Sequence, residues 1–420
     1  MAELLTAPYL GLPELVSTPE QFEEMLSQLA AGSGPFAVDA ERASGYRYSS
    51  RAYLIQIKRT DGGLHLIDPI PFGVGSPYFE KLNQLWQGEE VILHASTQDL
   101  PCLRELGLNP SILFDTELAG RLVGLPRVGL GALVESLLDI GLAKEHSAQD
   151  WSVRPLPEDW LNYAALDVEL LIELRNEIEK LLIEKKKLQW ARQEFAAILT
   201  APPAPKRIDL WRRTSGMHKV KKRSQLAVVK ALWEARDDLA AHLDISPGRV
   251  LSDMAISTIA LASDASPITT KRELEKVLRP IGLRARWFEN TPRWLNAIAA
   301  ALALPEEECP QSRSKSDALP PIKFWRDRFP EKYIPLSHAR FEMGVKASEL
   351  ELPVENLLTP EFLRQICWQL PDPAEVEQLL RKMGAREWQI EVAAPILMHA
   401  LEQDEPMELP EPEEDTQVSE

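Results

Sequence analysis

The sequence contains little of what stabilises secreted proteins or anchors proteins in membranes. Its three cysteines, Cys102, Cys309 and Cys367, are far apart in 420 residues and form no Cys-x-x-Cys pair. This argues against a disulfide framework or a zinc site and predicts three reduced thiols. No run of about 18 apolar residues is present, so no membrane-spanning helix is predicted. The N-terminus has an early acid and no basic stretch, unlike a secretory signal, and we predict a cytoplasmic protein that does not contact membranes.

Positive charge is outnumbered by negative charge overall, with 47 Lys and Arg against 64 Asp and Glu, and is missing from residues 402–420. The formal net charge is −17, and residues 402–420 alone hold nine acids and no bases, a composition typical of a disordered tail. By contrast, residues 206–236 hold ten Lys or Arg and two acids. The net charge therefore hides a basic middle region and does not exclude a nucleic-acid partner.

At 420 residues the chain is long enough for two or three domains. Two alternating apolar segments, "AYLIQIKR" and "LHLIDPI", flank an Asp-Gly turn and predict a hairpin, while the sequence after Pro157 predicts a long helical stretch. We predict an α/β first domain, with a mixed sheet flanked by helices, followed by two all-α domains. The predicted ranges are 1–203 for the α/β domain, 204–218 for a linker, 219–303 for a helical domain, 304–320 for a second linker, 321–402 for a second helical domain and 403–420 for the acidic tail.

Paired acids end one of the predicted strands. In "FAVDAERASG" (residues 36–45) Asp39 and Glu41 are two apart, so both side chains point to the same side of the strand. Two neighbouring carboxylates repel each other and are costly to bury. The pair is either an ordinary surface feature at the exit of a strand or a binding site for a cation.

Two further segments carry acids in comparable settings. In "ILHASTQDL" Asp99 follows a buried strand, where its alternative role is to complement the dipole of the next helix. In "NYAALDVELL" Tyr163 and Asp167 are four apart on one helix face, either as a surface pair or as an acid buried among apolar neighbours. Asp115, in "FDTELAG", is interpreted as a helix cap.

Four converging acids need positive charge nearby. Arg42 and Arg51 can each neutralise one carboxylate, which leaves the cluster under-compensated. Mg²⁺ and similar hard cations bind a few carboxylates together with substrate phosphate oxygens. Two such ions, about 3.5–4 Å apart, stabilise both the attacking and the leaving oxygen of a phosphoryl transfer. The sequence therefore predicts a site for divalent cations.

These acidic segments resemble the three motifs of the DEDD 3′-5′ exonucleases, in the subclass that carries a tyrosine four residues before the last aspartate. The blocks "VDAERASGYRYSSRAYLIQI", "HASTQDLPCL", "FDTELAGRLVG" and "QDWSVRPLPEDWLNYAALDV" resemble the ribonuclease D family more closely still. The resemblance covers most of residues 25–200. It implies a ribonuclease H-like domain that depends on two divalent ions, Mg²⁺ or Mn²⁺.

The resemblance also implies a role for each matching residue. Asp39 is expected to bridge both metal ions, with Glu41 and Asp167 completing the ligands of one ion. Asp99 is expected to hold the second ion, and Tyr163 to orient the attacking water. An ordinary tyrosine is a poor base near neutral pH, which favours a positioning role for it. All five are thus expected to be catalytic residues.

The stretch that begins "KVKKRSQLAVVKALWEARDDL" resembles the HRDC domain, a helical module that holds nucleic acid in RecQ-type helicases and ribonuclease D. Basic clusters bind phosphates without reading sequence, and the alternative is a solvated basic start of a helix. The expected nucleic-acid-binding residues are Lys219, Lys221, Lys222 and Arg223, preceded by Arg207, Arg212 and Arg213. Four nearby tryptophans are predicted to be core residues rather than base-stacking platforms, namely Trp211, Trp233, Trp287 and Trp294.

Residues 321–402 are predicted to be a second HRDC-like module, with RNA contact and a spacing role both open. The duplication predicts that the pair Ala235-Arg236 corresponds to Ala339-Arg340 and that Val250-Leu251 corresponds to Leu357-Leu358.

Taken together, these features predict a metal-dependent 3′-5′ exoribonuclease of the ribonuclease D type. It is expected to bind RNA with a free 3′ end, such as tRNA precursors or RNA undergoing turnover, and to release nucleoside 5′-monophosphates. One alternative is a DNA exonuclease of the same fold, since the motifs do not distinguish the two sugars. The other is a non-catalytic RNA-binding scaffold that uses its helical modules.

Overall fold

The computed structural model describes residues 3–143, 149–202, 208–264, 266–282, 284–312 and 319–407. Within these ranges no helix combines the length and the apolar character needed to cross a bilayer.

A six-stranded mixed sheet organises the first half of the chain. The described part of this half contains these six strands and two others, namely β1 (Glu3–Leu5), β2 (Leu15–Val16), β3 (Ser33–Arg42), β4 (Ala52–Thr60), β5 (Gly63–Ile67), β6 (Glu90–Leu93), β7 (Ile112–Asp115) and β8 (Ile140–Leu142). The sheet has the order β2-β5-β4-β3-β6-β7, while β1 and β8 form a separate parallel pair. β3, β4 and β5 are the antiparallel meander, and the hairpin turns at Asp61 with φ of 60°. β6 and β7 continue in parallel from β3.

Helices cover the sheet on both faces. They are α1 (Pro19–Ala31), α2 (Pro77–Trp86), α3 (Leu100–Glu105), α4 (Thr116–Leu122), α5 (Leu130–Leu138), α6 (Glu158–Glu169), α7 (Leu171–Glu184) and α8 (Leu188–Thr200). The stretch after Pro157 is helical as predicted and has one break, because α6 and α7 are separated at Leu170, whose ψ is 9°. The side chain of Lys58, on β4, donates to the carbonyl of Glu169 and satisfies a backbone group at this break.

The following helices form a unit with its own core. They are α9 (Arg223–Leu243), α10 (Pro247–Val250), α11 (Asp253–Ala262), α12 (Lys271–Leu278), α13 (Ala285–Glu289) and α14 (Thr291–Leu302). As predicted, the side chains of Trp211, Trp287 and Trp294 are buried in this core, and Trp233 packs at its edge. Trp211 and the buried Cys309 come from the two predicted linkers, so the ordered unit extends beyond 219–303 on both sides.

The last helices share a core with the sheet. They are α15 (Trp325–Arg328), α16 (Pro330–Glu349), α17 (Val354–Leu357), α18 (Pro360–Gln369), α19 (Val376–Met383) and α20 (Glu387–Leu401). Trp388 on α20 stacks on Trp190 of α8, with ring centroids 4.5 Å apart, and its Nε1 donates to Glu194 at 2.9 Å. Glu194 also pairs with Arg386. This part of the chain is therefore packed against the α/β domain rather than tethered to it.

Two consecutive helices repeat in the two helical parts. α17 begins at Val354, 107 residues after α10 begins at Pro247, and α18 begins at Pro360, 107 residues after α11 begins at Asp253. The two helices of each pair have equal lengths. The offset preserves the predicted match of Val250 with Leu357. The predicted match of Arg236 with Arg340 is wrong, because Arg236 is buried against Asp253 at 2.6 Å whereas Arg340 is exposed. The repeat itself favours the predicted duplication.

The acidic tail begins as ordered chain. Met407 donates its backbone N–H to the hydroxyl of Ser337 at 2.9 Å, and the carbonyl of Glu405 bonds to His338 at 2.9 Å. The rest of the predicted tail, residues 408–420, lies outside the described residues.

Candidate active site

The end of β3 places Asp39 and Glu41 beside an open edge of the sheet. β6 pairs with β3 only at Phe36 and Ala37, so β3 continues past the end of its parallel neighbour. Asp39 and Glu41 lie on this continuation, where β4 still supports the other edge. The turn after β6 therefore faces their carboxylates directly.

Asp115 shapes that turn. Its carboxylate accepts hydrogen bonds from the backbone N–H groups of Ala95, at 3.2 Å, and Ser96, at 2.8 Å, and Ala95 has a φ of 56°. The same carboxylate caps α4 through the N–H groups of Glu117 and Leu118, both at 3.0 Å. The predicted capping interpretation of Asp115 thus agrees with its contacts, which also hold the turn that leads to the next site residue.

Asp99 lies at the end of this turn, in the N-cap position of α3. Its side chain makes no capping hydrogen bond, and the residue is only 4% exposed. A buried carboxylate that does not cap its helix is available for another partner. The carboxylate faces the cleft, where its nearest cation is Arg42, with Nη2 3.4 Å from Oδ1.

α6 contributes the tyrosine and the last acid. Tyr163 and Asp167 are one turn apart, and the tyrosine hydroxyl hydrogen-bonds the aspartate side chain. The helix packs against Trp151, which is fully buried. The ring centroid of Trp151 lies 5.5 Å from that of Trp160, a residue of α6. Residues of the preceding loop are fixed in turn, since Arg154 makes a bidentate ion pair with Asp68 at 2.7 and 2.8 Å.

All five predicted site residues meet in one cleft of about 320 Å³. Carboxylate oxygens of Asp39, Glu41 and Asp167 lie within 4.8 Å of one another. The cleft is lined by these three acids and by Asp99, Tyr163, Arg42, His94, Gln98 and Leu130, among others. Segments separated by more than a hundred residues in sequence are therefore brought to one point.

Burial makes this cluster hard to ionise. It raises the pKa of Asp39 to about 6, although Arg42 opposes the shift. Burial, followed by the charge of Asp39, raises the pKa of Asp99 to about 8 and that of Glu41 to about 10. Burial also raises the pKa of Asp167 well above its usual range. Crowded, buried carboxylates that one arginine only partly compensates are a donor set that suits hard divalent cations.

His94 is a cleft residue that sequence reasoning missed. It directly follows β6, and its Nδ1 lies 2.9 Å from the hydroxyl of Thr116. Burial lowers the pKa of the imidazole, so the ring is neutral near pH 7. The available signal was its place between a buried strand and Asp99, which puts it on the same turn as a site acid.

The predicted basic cluster is largely exposed. Lys219, Lys221 and Lys222 are exposed, although Lys222 also pairs with Asp264 at 2.8 Å, whereas Arg223 is half-buried and donates to the carbonyl of Glu307 at 3.1 Å. Arg223 therefore closes the helical unit rather than facing solvent. Of the three basic residues that precede the cluster, Arg212 pairs with Asp209, Arg213 is exposed and Arg207 lies outside the described residues.

Family comparisons agree with this architecture. Residues 13–183 match the family model of a 3′-5′ exonuclease, residues 225–277 that of the HRDC domain, and residues 318–401 that of a 3′ to 5′ exonuclease C-terminal domain. The fold and its acidic cleft therefore define a 3′-5′ exonuclease that depends on divalent metal. The HRDC-like character expected for residues 321–402 stays a prediction.

Named relatives narrow the class. Ribonuclease D of Acidiphilium cryptum is 30% identical over 326 residues, covering 75% of this chain and 79% of that protein. Ribonuclease D of Zymomonas mobilis is 32% identical over 288 residues, covering 66% and 70%. The chain belongs to the ribonuclease D family, and it is a 3′-5′ exoribonuclease.

Solved structures show the same fold. A protein from Bifidobacterium adolescentis is 38% identical with a TM-score of 0.86, covering 96% of this chain and 100% of that one. Escherichia coli RNase D, an exoribonuclease involved in structured RNA processing, is 22% identical with a TM-score of 0.65, covering 92% and 98%. At that identity the likeness concerns the fold alone.

Proposed function

We propose that this exoribonuclease trims the 3′ ends of RNA, such as tRNA precursors or transcripts undergoing turnover, and releases nucleoside 5′-monophosphates. The proposal includes a cytoplasmic location and two divalent ions, Mg²⁺ or Mn²⁺. The observation that carries it is the approach of the Asp39, Glu41 and Asp167 carboxylates to within 4.8 Å of one another. Only cations make such crowding of ionised groups favourable.

The cluster offers two sets of oxygen ligands. Asp39, Glu41 and Asp167 would hold one ion, while Asp99, together with Asp39, would hold the other. Bound divalent ions would supply the positive charge that the attacking and leaving oxygens of a phosphodiester require. The role of the protein is to hold these acids rigidly, through β3, the turn fixed by Asp115, and α6.

Tyr163 is suited to position water rather than to remove its proton. Burial, followed by the charges of Asp167 and Glu41, raises the pKa of its hydroxyl, so the group stays protonated at physiological pH. Oη therefore keeps its hydrogen-bonding capacity beside Asp167 and can orient a water against the terminal phosphodiester. A general-base role for Tyr163 would require the opposite shift.

A direct assay tests the proposal. RNA and DNA oligomers of one sequence, labelled at the 5′ end, are incubated with Mg²⁺ or Mn²⁺ and with either the unsubstituted protein or its Asp39→Asn variant. We expect RNA to shorten stepwise from its 3′ end, and chelator or Asp39→Asn to abolish the reaction. The matched control is Asp61→Asn, because Asp61 is exposed in the β4–β5 turn and its φ of 60° suits asparagine.

Two outcomes contradict the proposal. Equal digestion of DNA would make the protein a general 3′-5′ exonuclease of this fold. No digestion with either metal, at concentrations where the folded protein still binds RNA, would make it a non-catalytic RNA-binding scaffold.

A further inference from the structure

Arg42 lies in the acidic cleft, although the alternation of its strand does not place it there. Asp39 and Glu41 share one side of β3, so a regular strand would direct the next side chain to the opposite side. The pairing with β4 shifts at this point, because Glu41 is opposite Leu54 whereas Arg42 is opposite Ala52. Such bulges occur next to active sites, where they re-aim a side chain. Arg42 lines the cleft beside this bulge, and its guanidinium reaches Asp99.

The contacts of Arg42 leave much of its guanidinium unused. Its Nη2 is 3.4 Å from Asp99, and its Nε is buried without a hydrogen-bond partner among the described residues. By comparison, Arg154 holds Asp68 through two bonds of 2.7 and 2.8 Å. Two short, parallel hydrogen bonds, as Arg154 makes with Asp68, are typical of a fully formed arginine–carboxylate ion pair. Arg42 is therefore near Asp99 but not locked to it.

The cleft also has a charge problem that Arg42 can address. A phosphodiester must enter a site lined by four acids, and its own negative charge adds to theirs. Among the described residues that line the cleft, Arg42 is the one permanent cation, since the other basic residue there, His94, is held neutral by burial. Guanidinium groups match phosphate oxygens with paired N–H donors.

We propose that Arg42 is a substrate-binding catalytic residue whose guanidinium contacts the phosphate of the 3′-terminal nucleotide. The inference rests on the proposed function. Without ligands, Arg42 pairs loosely with Asp99. When cations occupy the carboxylates, Asp99 no longer needs this partner, and the unused donors of Arg42 are available to the phosphate. A purely structural Arg42 would instead serve only to neutralise Asp99.

Product binding separates these roles. Adenosine 5′-monophosphate and adenosine are titrated by calorimetry, in the presence of Mn²⁺, onto the full-length protein and its Arg42→Met variant. We expect Arg42→Met to weaken nucleotide binding about tenfold to a hundredfold, as loss of a charge-assisted hydrogen bond does. Adenosine lacks the phosphate, so its affinity should not change. Arg42→Lys should recover part of the nucleotide affinity.

Arg51→Met is the matched control. Arg51 belongs to the same loop region but is exposed and stacks on Tyr53, 4.9 Å from the ring centroid. We expect both affinities to be unchanged in this variant. Titration of Mn²⁺ alone provides a second readout, in which Arg42→Met should bind the ion at least as tightly as the unsubstituted protein because a competitor for Asp99 is gone.

Unchanged nucleotide affinity in Arg42→Met, or equal weakening of nucleotide and adenosine, would overturn the proposal. So would loss of Mn²⁺ affinity in Arg42→Met, which would identify Arg42 as a structural support of the acids. These failures differ from failure of the proposed function. In that case the unsubstituted protein itself would not shorten RNA, whereas here it would shorten RNA while Arg42→Met bound the nucleotide normally.

Discussion

Asp244, at the end of α9, accepts a hydrogen bond from the backbone N–H of Ser49 at 2.8 Å. Ser49 belongs to the loop that follows Glu41 and joins β3 to β4. The same helical unit contacts this loop at a second point, since Arg249 donates to the carbonyl of Gly45 at 2.8 Å and lies over the ring of Tyr46. The helical unit is therefore in direct contact with the segment that follows β3.

Removing this contact should loosen the loop and slow cleavage. Asp244→Ala leaves the N–H of Ser49 without its partner, and we expect a several-fold lower kcat and faster amide hydrogen exchange in residues 46–49. Glu234→Ala is the control, because Glu234 is exposed on the same helix and only pairs with Lys230 at 3.8 Å. If amide hydrogen exchange in residues 46–49 is the same in Asp244→Ala and Glu234→Ala, then Asp244 does not order this loop.

Removing the hydroxyl of Tyr163 should impair the reaction without removing the metal ions. Tyr163→Phe keeps the ring that packs near Trp151 and loses only the group that bonds Asp167. We expect kcat to fall about a hundredfold, the loss that misplacing a reacting group by about 1 Å can cause. Calorimetric Mn²⁺ affinity should fall by no more than about tenfold, which is the change that loss of one hydrogen bond to a ligand side chain produces. A large loss of Mn²⁺ affinity would assign Tyr163 to the metal site instead.

The metal-free protein should lose stability as the pH rises. The pKa values of Asp39, Asp99 and Glu41 are raised to about 6, 8 and 10, so the folded chain retains protons that the unfolded chain releases above about pH 4. Stability therefore falls with increasing pH through this window. In chelator, we expect the melting temperature to drop between pH 6 and pH 9, and less steeply in Asp99→Asn.

Saturating Mn²⁺ should remove most of that drop, because the ion binds the ionised acids of the folded state. Asp61→Asn, at an exposed turn, should melt with the same pH dependence as the unsubstituted protein. A melting temperature that rises from pH 6 to pH 9 in chelator would mean that ionisation of the buried acids does not destabilise the folded protein.

The site acids could be predicted from the sequence because each motif is local. Asp39 and Glu41 follow from period two on a strand, and Tyr163 with Asp167 from the turn of a helix. The expectation that Arg42 neutralises one carboxylate also agrees with its contact with Asp99. The bulge beside Arg42, in the pairing with β4, could not be predicted, because no short-range pattern encodes it.

Long-range contacts account for what else was missed in the fold. The break at Leu170 coincides with Lys58, a residue on a distant strand that binds the carbonyl of Glu169. The packing of the last helices on the α/β domain depends on Trp388 meeting Trp190. Both sequences read locally as ordinary helix, so periodicity predicted the elements and gave no information about these junctions.

Gly124 should be essential to the junction between the α/β domain and the last helices. It has a φ of 80°, and a Cβ there would lie 2.3 Å from the carbonyl oxygen of Glu351. Gly88 is the matched control, with a φ of 82° and open space around its Cα. Alanine at either position should cost about 1–2 kcal/mol for the left-handed backbone.

Only Gly124→Ala should add the cost of displacing the neighbouring backbone, about 1–3 kcal/mol more. Thermal and denaturant unfolding, compared between the two variants, measures the difference. Equal losses of stability would show that the contact with Glu351 yields without cost.

The exposed Lys219 and Lys221 should bind RNA phosphates, whereas Arg223, which bonds backbone carbonyls, should not. Replacing Lys219 and Lys221 together by alanine is expected to weaken RNA binding at low salt. It should also reduce the slope of log affinity against log salt by about 0.7 for each lost contact with a single strand. Replacing Lys81 and Lys180, two exposed lysines of the α/β domain, removes equal charge and is the control.

Arg223→Ala should behave differently from the double lysine variant. Because Arg223 donates to backbone carbonyls of Glu307 and Cys309, its loss should lower the melting temperature of the helical unit and leave the salt slope unchanged. RNA affinity measured at several salt concentrations, alongside thermal melting, distinguishes the two effects. If the lysine variant and its control share one salt slope, the basic start of α9 is a solvated surface and the RNA path lies elsewhere on the protein.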